Sequence, residues 1–361
     1  MTKVLERRYC VISLNYMVTI IIPTYNRPDR LKRLLGYFSD SGIHGKIIIA
    51  DSSTSENKKR NKAIVSSYSG MDILYLDHFA PDTIGWVKWG EAIGRSNSKY
   101  TVICADDDFI VPKCIDEAVS FLEKNSDFVL ADGAYVSFEA GKGAEEKSRF
   151  LWRPIYPHKT IDFSDPATRV AFHFANYYPT LFSVHRTYIL EMIFKQTVKY
   201  SMENGYMGEL FCSILSLIYG KSKSLNSLYS AKESISDSYS KVHEDVDDLV
   251  DRGSYGALYK KFKQGLVINL CKEARISEEE AGKVIDAGMN IYLKKYYFNS
   301  GVRIKKILRE TKLPFGLNQV LRSIYVKMLK HKQPKGYSDD LANSENFKKI
   351  HEAIMTYLDD K

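Results

Sequence analysis

The chain has 361 residues, 44% of them hydrophobic and 27% charged, which is room for one large domain or two ordinary ones with a sizeable core. No apolar run reaches the roughly 18 residues of a membrane-spanning helix. The five cysteines are scattered without a CxxC pair; this argues against a disulfide scaffold or a thiolate zinc site and predicts reduced thiols in a cytoplasmic protein. The net charge of +8 is local: residues 291–335 hold twelve lysines and arginines against the single acid Glu310, leaving about −3 for the rest of the chain.

The opening "MTKVLERRYCVISLNY" is basic, but its apolar part is short and interrupted. Residues 1–16 read as an extension ahead of Met17 rather than as a signal peptide. "MVTIIIP" (17–23) is a β-branched apolar run, a buried strand by length and composition. A helix follows in "TYNRPDRLKRLLGYF", with Pro28 suited to its first turn and an apolar stripe at Leu31, Leu34, Leu35 and Phe38. "KIIIADSST" (46–54) is a second buried strand ending in Asp51, then come a helix in "ENKKRNKAIVSSY" and a third strand in "MDILYLD" (71–77). "IGWVKWGEAIGRS" (84–96) is helical, "KYTVICA" is a fourth strand, Pro112 opens a helix, and "DFVLADGAYVSF" (127–138) is a fifth strand.

This alternation predicts an α/β fold: a mainly parallel Rossmann-like sheet with helices on both faces. Ligands of such sheets bind beyond the carboxyl ends of the strands. That rule brings "TYNR", Asp51 and the triplet Asp106, Asp107 and Asp108 to one crevice. Two carboxylates 4–5 Å apart repel by roughly 3–4 kcal/mol at an effective dielectric near 20, so the triplet needs solvent, a basic side chain or a metal ion beside it. Further on, 177–190 reads as a strand turning into a helix. The run "GYMGELFCSILSLIYGK" (205–221) is a helix with a stripe at Leu210, Ile214, Leu217 and Ile218, and "SAKESISDSYSK" (230–241) is a polar loop. From about 243 to the end the pattern is helical, with a break at "KLPFG".

"VTIIIPTYNRPDRLKRLL", "IIIADSST" and "YTVICADDDFIVP" together resemble the successive strand-end motifs of family-2 glycosyltransferases, which have the GT-A, nucleotide-diphospho-sugar transferase fold. The resemblance covers roughly 17–235 and divides the chain into an extension (1–16), a catalytic domain (17–240) and a helical C-terminal domain (241–361). It implies an inverting, metal-dependent enzyme that moves a sugar from a nucleotide-diphosphate donor, a UDP-sugar, to a hydroxyl of a glycan or lipid-linked acceptor in surface polysaccharide or glycoconjugate synthesis. The cofactor implied is Mn2+ or Mg2+, which prefer carboxylate and phosphate oxygen.

Carried onto this chain, the resemblance makes Asp108 the main metal ligand. Asp106 becomes a second ligand or the contact to ribose or sugar, and Asp107 can exchange roles with either. Pro23, Thr24 and Tyr25 would line the base, Asp51 would accept from its ring N–H, and Arg27 is near enough to reach phosphate. Each has a plainer reading: Tyr25 as a packing aromatic, Asp51 as a helix cap, the triplet as the N-cap of the Pro112 helix. Many relatives carry Gly-x-x-x-Ala-Arg-Asn before the acidic strand; here Gly85 remains, but Trp89, Gly90 and Glu91 stand in place of Ala-Arg-Asn. Lys88 could supply the missing cation as a point charge, or be an exposed helix lysine. Trp86 and Trp89 suit a sugar face or, more commonly, a core.

The implied base is Glu209 at the head of the 205–221 helix, with Glu203 as the alternative, although the family's Glu-Asp pair is incomplete because Leu210 follows. A surface acid favoured by the helix dipole is the plainer reading. Asp132, at the end of the fifth strand, would hold a donor-sugar hydroxyl or be a turn residue. His185 and Arg186 sit where relatives carry a basic pair, Arg186 equally reading as an exposed residue at a helix start, and Lys232 lies in the polar loop that would close over the diphosphate. The basic segment 291–335 interleaves cations with apolar residues, which suits peripheral contact with a membrane surface, an anionic glycan or a solvated face; no nucleic-acid module is present. Two rivals remain. A nucleotidyltransferase would need a Gly-rich loop after the first strand, and "PTYNRPDR" has no glycine. A non-catalytic glycan- or nucleotide-binding relative would have lost the base.

Overall fold

A computed structural model describes residues 17–138, 153–154, 158–234, 246–296, 345 and 348–353. The extension 1–16 with Cys10, the segment 235–245 with His243, and the basic segment beyond residue 296 lie outside the described residues.

The first strand, β1 (Val18–Thr24), is buried along its whole length. Its alternating side chains feed two separate cores. Ile20 and Ile22 join Leu31, Leu34, Leu35 and Phe38 of α1 (Pro28–Ser41) on one face, and Ile21 joins the larger core on the other. β1 pairs in parallel with β2 (Lys46–Asp51) on one side and β4 (Tyr100–Ile103) on the other, and β2 pairs in parallel with β3 (Ile73–Leu76). The chain therefore runs outward through α2 (Ser55–Ser66) to β3 and returns through α3 (Gly85–Gly94) to the far side of β1. The reversal leaves a crevice beyond the carboxyl ends of β1 and β4, the place where ligands of such sheets sit.

The sheet continues beyond β4. Its order is β3-β2-β1-β4-β8-β6-β9-β5, with β7 (Arg153–Pro154) paired to β6. Here β5 is Phe109–Ile110, β6 Phe128–Phe138, β8 Val184–Arg186 and β9 Lys221–Glu233. β8 is antiparallel to both its neighbours, and β9 is parallel to β6. The expected polar loop at 230–241 is thus corrected in its first part: Ser230 to Glu233 end β9. Serines at 222, 224 and 230 are buried there by pairing with β6, a tertiary context that overrides weak strand propensity.

The helices α4 (Pro112–Lys124), α5 (Pro166–Ala175), α6 (Thr187–Lys199) and α7 (Gly205–Tyr219) cover the sheet. α8 (Val246–Asp251), α9 (Tyr255–Ala274) and α10 (Glu278–Tyr296) follow, and Tyr255, Phe262, Leu266, Ile285 and Met289 belong to the same apolar core as Ile21, Phe174 and Phe211. Among the described residues Cys104, Cys114, Cys212 and Cys271 are free thiols, and no helix is long and apolar enough to cross a membrane.

Candidate active site

The loop after β1 turns on Asn26, which sits in the left-handed region at φ 54°, a conformation asparagine tolerates better than most residues. Its backbone N–H donates to Ser53 Oγ (2.8 Å), and its side-chain oxygen accepts from the Thr54 N–H (2.9 Å). The β1 and β2 loops are thereby tied together. Tyr25 projects from this turn 49% exposed, free to lie against a flat ring. Pro23 and Thr24 are buried beneath it.

Asp51 is fully buried, and its carboxylate accepts from the Ser53 N–H (2.7 Å), Asn61 Nδ2 (2.8 Å) and the Tyr75 hydroxyl (2.5 Å). It organises the turn at the end of β2 and does not cap α2, whose N-cap is Thr54. Lys88 is buried as well and is not an exposed helix lysine. Its ammonium donates to the Thr24 carbonyl (3.0 Å) and to Ser52 Oγ (2.8 Å), bracing both loops from below. Burial draws it down to about 8, opposed by the nearby Asp106 and Asp51 carboxylates.

The acidic triplet is held from both sides. Asp106 accepts from Thr24 Oγ1 (2.7 Å) and faces Arg27, which also pairs with Asp107 at 3.0 Å. Asp108 accepts from the Glu233 N–H (3.3 Å), and its other oxygen lies 3.7 Å from Lys232 Nζ. None of the three caps α4, whose N-cap is Val111. Burial pushes Asp106 up to about 6 and Asp108 up to about 7, with the charge of Asp107 adding to both; Arg27 and Lys232 oppose the shift only in part. Burial, more than mutual repulsion, is what disfavours the ionised carboxylates here.

A hard cation would meet the right donor atoms. Asp106 already serves two protein donors, so Asp108 is the freer carboxylate. Among the described residues no three His, Cys, Asp or Glu side chains form a complete ligand cluster. Mg2+ and its like bind through one or two carboxylates and complete their shell with water and substrate phosphate. The residues fit a cation that arrives with a diphosphate.

These raised carboxylates predict a pH dependence. A carboxyl whose folded pKa lies above its unfolded value stabilises the fold at low pH, and that contribution is lost as pH rises through the folded value. His173 and His185 act oppositely: burial lowers them to about 3 and about 4, so their contribution is present above the unfolded histidine range and is lost as pH falls. Comparing wild type with Asp108→Asn isolates the carboxylate. In metal-free buffer the variant is expected to melt above wild type at pH 8 and to lose that advantage by pH 4. An equal difference at both ends would show that Asp108 does not titrate in this window.

Glu209 lies in the first turns of α7. Asn204 caps α7 by accepting from the Met207 N–H (3.0 Å). Gly208 packs so tightly against the Trp86 ring that an added Cβ would lie 2.5 Å from it, so that tryptophan is core and seats the helix start. Tyr177 donates to Glu209 Oε1 (2.8 Å). Burial raises the Glu209 carboxyl, while Tyr177 and the Lys232 charge pull it down. Glu203 is exposed ahead of the helix.

Lys232 lies 3.7 Å from Asp108 Oδ2, with its ammonium 3.7 Å from the centre of the Phe182 ring, and its charge also acts on Glu209. It lies in β9, opposite Ser137, and not in a loop. The placing of Asp132 at a strand end or in a turn is corrected: β6 runs six residues past it, and its carboxylate is buried against His158 (2.7 Å) and Ser183 (2.8 Å). Arg186 is neither exposed nor in the crevice; it donates to the Leu122 and Asn125 carbonyls at the end of α4. His185 is buried and neutral beside it.

Sequence reasoning missed four contributors. Arg33 is buried in α1 and donates to Glu233 (2.8 Å) and to the Asp107 carbonyl (3.1 Å). Glu233, Asn26 and Tyr177 are the others. Only Asn26 had a local signal, an asparagine in a strand-end turn.

Residues 19–178 match the family model described as Glycosyl transferase family 2. No curated protein matches the chain significantly. Among solved structures, S. aureus TarS 1–349 in complex with UDP-GlcNAc superposes with a TM-score of 0.55 at 11% identity, covering 95% of this chain and 90% of that one. The complex of TarS 1–349 with UDP gives 0.53 at 10% identity over the same shares. Against the longer TarS chain the TM-score is 0.53 at 11% identity, and this chain spans 55% of it. The structural likeness shows the fold, and the family model covers the loops after β1, β2 and β4 that build the crevice. Residues 19–178 thus carry a domain that matches the family-2 glycosyltransferases, in a fold that the chain shares with the TarS structures.

Proposed function

We propose that the chain transfers a sugar, with inversion, from a UDP-sugar to a hydroxyl acceptor, within a catalytic region at about 17–240 followed by a helical C-terminal region. The observation that carries this reading is the acidic triplet after β4, held by Arg27 and Lys232, with the Lys232 charge also acting on Glu209. The charge of one lysine thus links the candidate diphosphate site to the candidate base. UDP as the donor's nucleotide draws support from the TarS complexes with UDP-GlcNAc and UDP.

Tyr25 would lie on the base, with Pro23 and Thr24 below it. Asp51 holds the loop that the base rests on through three protein donors, and its Oδ1, which takes one of them, would accept from the ring N–H of the base. Arg27 and Lys232 would turn from their carboxylate partners to phosphate oxygens. Asp108, with Asp106, would hold Mn2+ or Mg2+, which when bound neutralises charge on the leaving diphosphate. Glu209 takes the proton of the acceptor hydroxyl. The hydroxyl oxygen bonds to the anomeric carbon as that carbon's bond to the diphosphate oxygen breaks, and the pair of electrons leaves with UDP.

The test is a thermal-shift panel of nucleoside diphosphates with and without Mn2+. UDP is expected to stabilise the protein only with the cation, and Asp108→Asn to abolish the effect. Stabilisation that ignores the metal, or none by any nucleotide, would overturn the reading.

A further inference from the structure

Tyr177 joins the candidate base to the C-terminal helices. It follows α5 by two residues, and its hydroxyl donates to Glu209 Oε1 at 2.8 Å. Its ring is held edge-on by Tyr292 of α10, with centroids 5.1 Å apart and planes at 83°. The His173 ring of α5 lies 5.6 Å away on another side. α10 is itself fixed to α5 at two points. Gly288 lies so close to Phe174 that an added Cβ would fall 2.1 Å from that ring. Lys295 donates to the Ala175 carbonyl at 2.7 Å. The end of α5, from which Tyr177 hangs, is thus clamped by α10.

The groups facing Glu209 are few. Tyr177 comes from beyond α5 and Lys232 from β9, and both favour the charged carboxylate. Cys212, on the next turn of α7, is pushed up to about 12 and stays a thiol. His173, behind Tyr177, is drawn down to about 3 and stays neutral. With Oε1 taken by Tyr177, Oε2 is the oxygen left to receive a proton.

We propose that Tyr177 is a positioning residue that holds Glu209 by Oε1, leaves Oε2 to take the acceptor's proton, and is itself kept in place by α10 through Tyr292. This rests on the reading of Glu209 as the base. A hydrogen bond to the ionised form lowers a carboxyl pKa, so its loss raises it.

The experiment follows the carboxyl directly. The full chain is labelled with carbon-13 at the glutamate side-chain carboxyl, Glu209→Gln identifies the resonance, and the titration midpoint is read in wild type, Tyr177→Phe and Tyr292→Leu. The Tyr177→Phe midpoint is expected to rise by about one unit, and that of Tyr292→Leu to rise in the same direction by less. The UDP-induced thermal shift with Mn2+ should stay at its wild-type size in both variants. A midpoint unmoved in Tyr177→Phe overturns the inference even if the variant melts lower, because lost packing alone would not move it. An unmoved midpoint in Tyr292→Leu overturns the part given to α10. UDP release is measured alongside, from whichever of UDP-glucose, UDP-galactose and UDP-GlcNAc the wild type turns over. Undiminished release in Glu209→Gln would overturn the base reading itself, and this inference with it.

Discussion

Glu209→Gln is expected to lower sugar transfer by about 10²–10⁴-fold, the usual contribution of a positioned general base, while UDP binding persists. The amide keeps the size of the side chain, and its oxygen can still accept from Tyr177, so the α7 start stays where Asn204 and Trp86 place it. Only the capacity to take a proton is lost. UDP release with acceptor present measures the first effect, and the UDP-induced thermal shift measures the second. If release is undiminished, the base is another residue, and the exposed Glu203 is the next to replace. If the UDP shift also disappears, the substitution has disturbed the crevice and the contrast with Glu203→Gln decides the role.

Arg33→Met is expected to be the most destabilising single change near the crevice. Its guanidinium is almost wholly buried, 1% exposed, and meets a Glu233 carboxylate that is 7% exposed. Its loss leaves the buried Glu233 carboxylate to the more exposed Arg30 and removes the bond to the Asp107 carbonyl; the cost should fall near the low end of the roughly 3–5 kcal/mol for a broken buried pair, a fall in Tm of about 5 °C in a chain of this size. Arg30 meets the same carboxylate at 3.4 Å and is 20% exposed; its loss should cost about 1 kcal/mol or less. The double variant Arg33→Met with Glu233→Met should recover part of the loss, since it leaves no orphaned charge. Thermal melts of the three variants check this, and equal effects at Arg30 and Arg33 would refute it.

Much of the fold was legible because each early strand is a short apolar run that ends in its own polar punctuation. β1, β2 and β4 announce themselves by isoleucine and valine, and the loops after them carry Tyr25, Asp51 and Asp106 to Asp108. Helical spacing with Pro28 and Pro112 marked α1 and α4. The features hidden from the sequence depend on pairing between distant segments. β9 is rich in serine and lysine and becomes a strand only because β6 is there to receive it. Arg33 and Glu233 are 200 residues apart, and nothing local marks either as buried. Arg186 looks like a helix-start cation and instead satisfies carbonyls at the end of α4. Asp132 sits in "ADGA", which reads as a turn, yet the strand continues through it.

The larger apolar core, which one face of the sheet shares with α9 and α10, also bears on how the chain can be cut and recombined. A fusion that ends near residue 240, where the acidic run suggests a seam, would strip the cover from Phe174 and Phe211. It would expose a greasy face of the sort that drives aggregation and unseat Tyr292 from Tyr177. An exchange of the C-terminal region should keep everything through Tyr296 and also the segment 348–353, whose Ile350 is buried in the core with Ile20 and Leu34.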